Sequence, residues 1–255
     1  MNTVEVRITA LVVIYNRRCE ESPSCEGLRA DSKARAVVVD NSTEENDNAR
    51  YCAKRGFGYI PMGGNLGLAK AYNRGIAWIK KHTDATHVLL LDDDTTLPDG
   101  FSERTAAVVA QREDAQVFCP QVWDEKGLLS PCCIDGFHVR RVGEDERADF
   151  TAINSGLVID LRVFEKYAYD EGYFLDYIDH AFFRDIKARG VGIAVTDEKL
   201  SQRFSGNERG NKRAAKRRLN IFKTDFRRFC GKSLKGRLYA EAVIIWRRMK
   251  IALSK

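Results

Sequence analysis

Three short apolar runs in the first third of the chain carry the clearest secondary-structure signal. They are "VRITALVVIY" (6–15), "ARAVVVDN" (34–41) and "THVLLLD" (86–92), and apolar residues in them do not alternate regularly with polar ones. Such runs are typical of strands in a parallel sheet, where helices cover both faces. We therefore predict three parallel strands.

One helical pattern lies between the second and third runs, in "GGNLGLAKAYNRGIAWIKK" (63–81). Its apolar residues recur at spacings of four, four and three, which places them on one face of a helix. The strand, helix, strand order predicts an open α/β sheet. The apolar positions are Leu68, Tyr72, Ile76 and Ile79.

The later part of the chain continues in the same style. Segments 115–123, 150–159 and 191–196 read as strands, and 177–190 reads as a helix that ends at a glycine. The intervening 124–150 is polar and rich in turn residues, so we expect a flexible loop or an irregular hairpin.

Polar residues follow each of the three predicted parallel strands. In open α/β sheets, ligands bind outside the carboxyl ends of the strands. We therefore expect these residues to converge on one crevice. They are Tyr15, Asn16 and Arg17, then Asp40, Asn41 and Ser42, and finally Asp92, Asp93 and Asp94.

The three consecutive aspartates form a DxD motif that points to metal chemistry. Carboxylate oxygens are preferred ligands of Mg²⁺ and Mn²⁺, which often use one or two protein carboxylates together with substrate phosphates. If the strand alternation persists, Asp92 and Asp94 point one way and Asp93 the other. The alternative is that these acids lie in a solvated loop that opens with a turn at Pro98, Asp99 and Gly100.

Charge divides the chain into two unequal parts. Residues 206–255 carry 16 Lys and Arg against three acids, whereas residues 1–205 are net acidic. An apolar stripe also runs through the basic segment, so we predict basic amphipathic helices that bind an anionic membrane surface. Alternatives are a packed helix with a solvated basic face, or nucleic-acid binding. The stripe is Leu238, Ala242, Ile245, Met249 and Ala252.

Composition bears on the size of the core and on the cellular compartment. With 255 residues and 44% hydrophobic content, the chain can bury a full core. Its seven cysteines form no CxxC pair, and the first residues resemble a strand more than a leader, so we expect a reduced cytoplasmic setting. No uncharged apolar run approaches the roughly 20 residues of a membrane span. We expect a cytoplasmic protein, peripheral at the inner face of the cell membrane.

Six segments, in this order, resemble the inverting glycosyltransferases of family 2, which have the GT-A fold. Three of them, "NLGLAKAYNRGI", "LDDDT" and "FLDYID", look most like the bacterial rhamnosyltransferase branch, which builds surface polysaccharides. The six segments are "VVIYNR" (12–17), "VVVDNST" (37–43), "GGNLGLAKAYNRGI" (63–76), "LLLDDDTTLP" (89–98), "NSGLVID" (154–160) and "FLDYIDHAFFRDIKARG" (174–190).

The resemblance implies a Rossmann-like, mostly parallel sheet flanked by helices, with a catalytic domain over 1–205 and a basic helical extension over 206–255. It also implies transfer of a sugar from a dTDP- or UDP-sugar to a lipid-linked glycan, with inversion and with Mn²⁺ or Mg²⁺. Lipopolysaccharide O-antigen or capsule synthesis would be the setting, with rhamnose as one candidate sugar. Nucleic acid is not an expected partner.

The resemblance also suggests roles at the donor end of the site. Asp40 would bind the nucleotide base, and Asp94 would hold the cation that bridges the diphosphate. Asp92 would approach the ribose or the metal. An Asx turn is the alternative for Asp40. The other donor residues implied are Tyr15, Asn16, Arg17, Asn41, Asn65, Gly67 and Asp93.

At the acceptor end, the resemblance places the catalytic base at Asp179 and an acceptor contact at Asp176. Both acids could instead serve the start of a helix. Ala181 stands where the branch has a second acid, and Gln202 or Arg203 stands where the family has a histidine. Arg203 would then neutralise the diphosphate. The remaining acceptor contacts implied are Asn154, Ser155 and Gly156, for which a tight turn is the alternative.

Two other functions compete with this interpretation. A sugar nucleotidyltransferase would share a related sheet, but no Gly-rich phosphate loop follows the first strand. A nucleic-acid-binding protein would use the basic segment, but the acidic first 205 residues argue against it.

Overall fold

The computed structural model describes residues 5–31, 33–141, 150–202 and 212–253. The strands are β1 (Ile8–Ile14), β2 (Arg35–Asp40), β3 (Gly58–Pro61), β4 (His87–Asp92), β5 (Thr95–Thr96), β6 (Val117–Asp124), β7 (Gly127–Ser130), β8 (Cys132–Asp135), β9 (His138–Arg141), β10 (Phe150–Thr151), β11 (Val158–Asp160) and β12 (Ile193–Gln202). The helices are α1 (Pro23–Ala30), α2 (Asn48–Arg55), α3 (Leu68–His82), α4 (Phe101–Gln111), α5 (Ile178–Ala188), α6 (Lys212–Cys230) and α7 (Leu234–Leu253).

The main sheet has the order β3-β2-β1-β4-β11-β6-β12-β5, and β7 pairs with β6. Its first four strands are parallel, with Val13 level with Val39 on one side and with Asp92 on the other. The three predicted parallel strands are therefore confirmed. The predicted crossover helix is confirmed as α3, which begins at Leu68 and not at residue 63.

The sheet is covered on both faces, which explains the uninterrupted apolar strands. In β1, Leu11 and Val13 belong to the core that contains α3 and α5. Val12 and Ile14 belong to the opposite core, beneath α1, α2 and α4. Because successive strand residues point to opposite faces, both sets must be apolar.

The single strand predicted over 150–159 is wrong. The segment contributes β10 to a small sheet with β8 and β9, turns, and then contributes β11 to the main sheet. There β11 lies antiparallel to both β4 and β6. At the turn Gly156 has a φ of 91°, and a Cβ there would lie 2.5 Å from Leu200 Cδ1 and 2.7 Å from Pro120 Cγ.

The segment predicted as a loop or irregular hairpin, 124–150, is a hairpin in its described part. Strands β8 and β9 pair antiparallel, and β7 pairs with β6. Residues 142–149 lie outside the described part. The last predicted strand, 191–196, is longer than expected, because β12 runs on to Gln202.

The basic segment forms two helices that differ in burial. Helix α6 packs inward: Phe222 and Phe226 are buried against α7, and Phe229 joins the main core. Helix α7 buries Ala240 and Ile244. The boundary predicted between 205 and 206 lies outside the described residues, so the domain division stays a prediction. None of the described helices combines the length and the apolar character needed to cross a membrane.

Gly75 lets α3 lie close against β1. A Cβ at this position would come within 2.4 Å of Leu11 Cδ1 and 2.8 Å of its Cγ.

Gly75→Ala should therefore lower the free energy of unfolding by about 1–3 kcal/mol, because overpacking outweighs the better helix propensity of alanine. Urea denaturation measures this. Arg74→Ala, at an exposed neighbour, should change stability by less than about 0.5 kcal/mol; a more stable Gly75→Ala variant would contradict the close packing.

Candidate active site

The aspartates at the end of β4 divide as the strand alternation predicts. The Gln202 Nε2 amide donates hydrogen bonds to Asp92 Oδ2 at 3.1 Å and to Asp94 Oδ1 at 2.8 Å. The Asp93 carboxylate turns the other way, and its Oδ1 lies 3.4 Å from Arg17 Nη1. Asp92 and Asp94 therefore lie on one side of the chain, and Asp93 pairs with the Arg17 guanidinium on the other.

The environment of these acids opposes their ionisation. Burial, with repulsion from Asp94 and Asp93, raises the pKa of Asp92 to about 7, although the Gln202 hydrogen bond acts against this. Burial also raises the pKa of Asp93 to about 6, despite the attraction of Arg17. A cation beside this group would relieve the repulsion.

Two serines of α1 and its cap hold the backbone of the aspartate loop. Ser22, the N-cap residue, donates its hydroxyl to Asp93 O at 2.7 Å. Ser24 donates to Asp92 O at 2.5 Å and to Thr95 O at 2.8 Å. Sequence reasoning missed both. The available signal was "SPS" (22–24), since a serine N-cap followed by proline marks a helix start.

The turn before β11 is formed by Asn154, Ser155 and Gly156. A tight turn was the alternative to acceptor contact for these residues. Ser155 is buried, and its Oγ accepts the Asp92 N–H at 2.9 Å. Asn154 Oδ1 accepts the Tyr169 hydroxyl at 3.1 Å. The turn therefore supports the aspartate loop from within the protein. Direct contact of these three residues with an acceptor stays a prediction.

Asp40 is buried in a network of hydrogen bonds at the end of β2. Its carboxylate accepts the Ser42 N–H at 3.0 Å, the Asn48 Nδ2 amide at 3.0 Å and the Tyr59 hydroxyl at 3.1 Å. Burial pushes its pKa upward, but hydrogen bonds led by Ser42 and Asn48 outweigh it, so the pKa lies below the usual value. The Asx turn is therefore present, and base binding by Asp40 stays a prediction.

The end of β1 is tied to the loop after β2. Asn16 has a left-handed backbone, with φ of 48°, and donates its N–H to Ser42 Oγ at 2.8 Å. Its Oδ1 accepts the Thr43 N–H at 2.8 Å. Tyr15 is half exposed beside it. Together with the Arg17–Asp93 pair, these contacts bring the three predicted strand ends to one edge of the sheet.

Asn41 and Asn65 build the turn that leads into α3. Asn41 Nδ2 donates to Asn65 Oδ1 at 3.0 Å, and the same oxygen accepts the Gly67 N–H at 3.1 Å. Gly67 has a φ of 92°, and a Cβ there would lie 3.0 Å from both Phe174 Cδ2 and Phe174 O. The structure therefore explains this glycine by its contact with Phe174, and the predicted close approach to a donor stays a prediction.

Asp179 lies in the first turn of α5, close to the aspartate cluster. Its charge is one of the causes that raise the pKa of Asp92, so the two carboxylates lie near enough to repel each other. Asp179 Oδ1 accepts the His180 N–H at 2.8 Å, and His180 Nε2 lies 3.7 Å from the same oxygen. The His180 ring also bonds Thr151 Oγ1 at 3.0 Å.

Asp176 is paired within the protein. Its Oδ1 accepts a hydrogen bond from Arg218 Nη2 of α6 at 2.6 Å. Its backbone N–H donates to Asp225 Oδ2, also of α6, at 2.8 Å. Sequence reasoning missed both partners, because nothing in the basic segment distinguishes them from its surface charges. Arg203, the predicted diphosphate contact, lies outside the described residues.

The carboxylate oxygens of the aspartate cluster suit a hard divalent cation. Within 5–31, 33–141, 150–202 and 212–253, no group of three or more His, Cys, Asp or Glu is arranged to hold a metal. A cation would therefore depend on Asp92, Asp94 and substrate phosphates. The buried Oε1 of Gln202 has no hydrogen-bond partner in the described structure, and it would face the cation if the amide turned over, because Nε2 now faces the two carboxylates. These residues fit Mg²⁺ or Mn²⁺.

Comparisons with known proteins bear on the family resemblance and on the fold. The glycosyl transferase family 2 model matches residues 10–131. The dTDP-rhamnosyl transferase RfbF of Shigella flexneri is 26% identical over 184 residues, covering 68% of this chain and 60% of RfbF. The chain thus spans less than two thirds of the length of this curated relative.

Two solved structures share the fold at low identity. TarS of S. aureus has a TM-score of 0.59 and 14% identity, covering 95% of this chain and 43% of TarS. The mannosyltransferase PcManGT from Pyrobaculum calidifontis, in complex with GDP-Man and Mn²⁺, has a TM-score of 0.58 and 15% identity, covering 98% of this chain and 74% of PcManGT. The resemblance carried by the sequence motifs is therefore confirmed: residues 10–131 match the glycosyl transferase family 2 model, and the chain has a GT-A-type α/β fold.

Proposed function

We propose that this chain transfers a sugar from a dTDP- or UDP-sugar to a glycan acceptor, with inversion at the transferred carbon. The observation that carries the proposal is the pairing of Asp92 and Asp94 by Gln202 at the carboxyl end of β4, with the Asp179 carboxylate of α5 near enough to repel that of Asp92. A paired carboxylate site for a cation and a separate carboxylate for a proton are the two parts that such a transfer requires.

Asp179 acts as the base. The acceptor hydroxyl attacks the sugar carbon opposite the diphosphate and gives its proton to Asp179. A new carbon–oxygen bond forms as the bond to the diphosphate breaks, and the nucleoside diphosphate leaves with that electron pair. The contacts of Asp179 with His180 hold the carboxylate in position before the acceptor binds.

Asp94 and Asp92 would hold the cation, with Gln202 beside them. A bound Mn²⁺ or Mg²⁺ would offset the negative charge that develops on the departing diphosphate. The Mn²⁺ complex of the similar mannosyltransferase supports this choice of metal. Asp40 binds the nucleobase end of the donor through its carboxylate. The hydrogen bonds to this carboxylate lower its pKa and so keep it charged.

The donor proposal favours rhamnose. RfbF is named a dTDP-rhamnosyl transferase, and 68% of this chain is similar to it in sequence. The segments shared with the rhamnosyltransferase branch lie around the start of α3, in the aspartate loop and around the start of α5, and they contain Asn65, Asp94 and Asp179 of the proposed site. We infer a role in assembling lipopolysaccharide O-antigen or capsule, with a lipid-linked acceptor.

The outer face of α7 supports a membrane-bound acceptor. At about 100° per residue, its most exposed apolar side chains fall on one face, opposite the buried Ala240 and Ile244. Arg237 and Arg248 border this face on one side, and Lys250 borders it on the other. We propose that the face binds an anionic bilayer at the cytoplasmic side of the cell membrane. Its apolar members are Leu234, Leu238, Ile245, Trp246, Met249 and Leu253.

The reaction is tested with a panel of dTDP-rhamnose, UDP-glucose and UDP-galactose, each with Mn²⁺ or Mg²⁺ and a lipid-linked glycan acceptor. We expect release of a nucleoside diphosphate from one donor. Asp179→Asn should lower kcat by about a hundredfold or more, because the base is lost.

Asp185→Asn is the matched control, since Asp185 lies on the same helix and pairs with Arg184 at the surface. It should retain wild-type kcat. A folded Asp179→Asn protein with wild-type turnover would exclude Asp179 as the base. Pyrophosphate in place of a nucleoside diphosphate would indicate a nucleotidyltransferase.

The division of the aspartates makes a separate prediction about metal affinity. Asp94→Ala should weaken Mn²⁺ binding roughly tenfold or more, because one or two carboxylates supply most of the protein ligands. Asp93→Asn should leave Mn²⁺ affinity within about twofold, since its carboxylate pairs with Arg17. Electron paramagnetic resonance titration of Mn²⁺ with UDP or dTDP measures both. Equal losses in the two variants would contradict the division.

Membrane binding is tested on the exposed face of α7, because its side chains can be changed without disturbing the core. Leu238→Ser with Trp246→Ser should reduce flotation with phosphatidylglycerol-containing vesicles. Arg237→Gln with Arg248→Gln should lower binding about fivefold per arginine, since each basic residue contributes about 1 kcal/mol near an anionic surface.

Lys81→Gln, an exposed charge change on α3, is the control for flotation and should float as the wild type does. Vesicles of phosphatidylcholine alone should bind the wild-type protein less well than anionic vesicles. Unchanged flotation of both α7 variants would rule out this face as the membrane contact.

A further inference from the structure

Helix α6 carries a fully buried carboxylate that the proposed reaction does not use. Asp225 accepts three backbone hydrogen bonds, from the Phe174 N–H at 3.0 Å and from the Leu175 and Asp176 N–H groups at 2.8 Å each. All three donors belong to the segment 170–177, which we name the bridging loop. One side chain thus fixes three consecutive peptide groups.

Two ion pairs also join α6 to the bridging loop. Arg228 donates to Asp170 at 2.6 and 2.7 Å, near one end of the loop. Arg218 pairs with Asp176, near the other end. The Arg228–Asp170 pair is exposed, and exposed pairs contribute little. A buried carboxylate with three N–H donors is the stronger restraint, because hydrogen bonds to an ionised acceptor are stronger than neutral ones.

The bridging loop contacts both halves of the proposed site. On the donor side, Phe174 O accepts the N–H of Leu68, the first residue of α3, at 2.7 Å. That N–H has no partner within its own helix, as at any helix start. Phe174 also packs against Gly67.

On the acceptor side, the loop ends at Tyr177, which has a left-handed backbone with φ of 61° and is the N-cap residue of α5. Asp179 follows two residues later. The Tyr177 ring lies 4.9 Å from Phe226 and 4.8 Å from Phe229, measured between ring centroids, so α6 supports this end as well.

We propose that Asp225 is a positioning residue that holds the bridging loop, and through it sets Asp179 against the donor end of the site. The proposal rests on the proposed function for its catalytic consequence. The carboxylate is required because it offers only acceptors to three N–H donors. An asparagine there would turn an amide N–H₂ toward at least one backbone N–H, which would lose its partner.

Asp225→Asn should have two measurable effects. Hydrogen exchange at the amides of Phe174, Leu175 and Asp176 should quicken about tenfold or more, because their acceptor is weakened. In the donor assay, kcat should fall between about tenfold and a hundredfold, since small displacements of a catalytic group have effects of this size. KM for the donor should rise much less.

Ile244→Ala is the matched control. Ile244 is buried between α6 and α7 in the cluster against which Tyr177 packs, but its apolar side chain offers no hydrogen-bond acceptor to the bridging loop. Its truncation should lower the melting temperature without quickening exchange in the loop or lowering kcat at a temperature where both variants are folded. If Asp225→Asn does not fold, Asp225→Ser, which is smaller and keeps one acceptor, takes its place in the same comparison.

Wild-type exchange at the three amides, or a kcat for the Asp225 variant equal to that of Ile244→Ala, would overturn the proposal. If the wild-type chain turns over no donor, the proposed function fails on its own. The exchange measurement then still decides whether Asp225 holds the bridging loop, because it needs no substrate.

Discussion

The carboxylates at the end of β4 repel one another in a largely buried position, and much of the surrounding structure serves to hold them there. Ser22 and Ser24 bond the backbone carbonyls of this loop, and Gln202 bonds the side chains of Asp92 and Asp94. These contacts come from the first helix and from the last strand of the main sheet. Hydrogen bonds from distant parts of the chain therefore hold the loop in spite of this repulsion. In the proposed function, the same carboxylates would hold a cation.

The two C-terminal helices are both rich in basic residues, but they differ in what they contact. Helix α6 faces inward, and its buried Asp225 binds the bridging loop beside the proposed base. Helix α7 buries a narrow strip around Ile244 and leaves an apolar face with basic borders in solvent. The contrast reconciles two alternatives that sequence left open, because a packed helix and an exposed amphipathic face occur in consecutive helices.

Local patterns predicted the parallel half of the sheet well. Strands β1, β2 and β4 are continuous apolar runs because two cores cover them, and α3 follows from its helical spacing. The strand over 150–159 could not be predicted in the same way. Its apolar residues say nothing about pairing partners, and the turn at Gly156 depends on how closely Leu200 and Pro120 approach. Only the packed chain contains that information.

The sequence by itself determined three things: the resemblance to family 2, the convergence of three polar strand ends, and the separation of Asp93 from Asp92 and Asp94. The resemblance rests on the order of the motifs, and the other two follow from the strand order and from strand alternation. The tertiary structure decided which side chains support that site. Ser24 and Asp225 reach it from 68 and 49 residues away along the chain, as measured to Asp92 and Asp176. A polar side chain that meets its partner only after folding leaves no periodic pattern, because the contact depends on packing between elements and not on spacing within one.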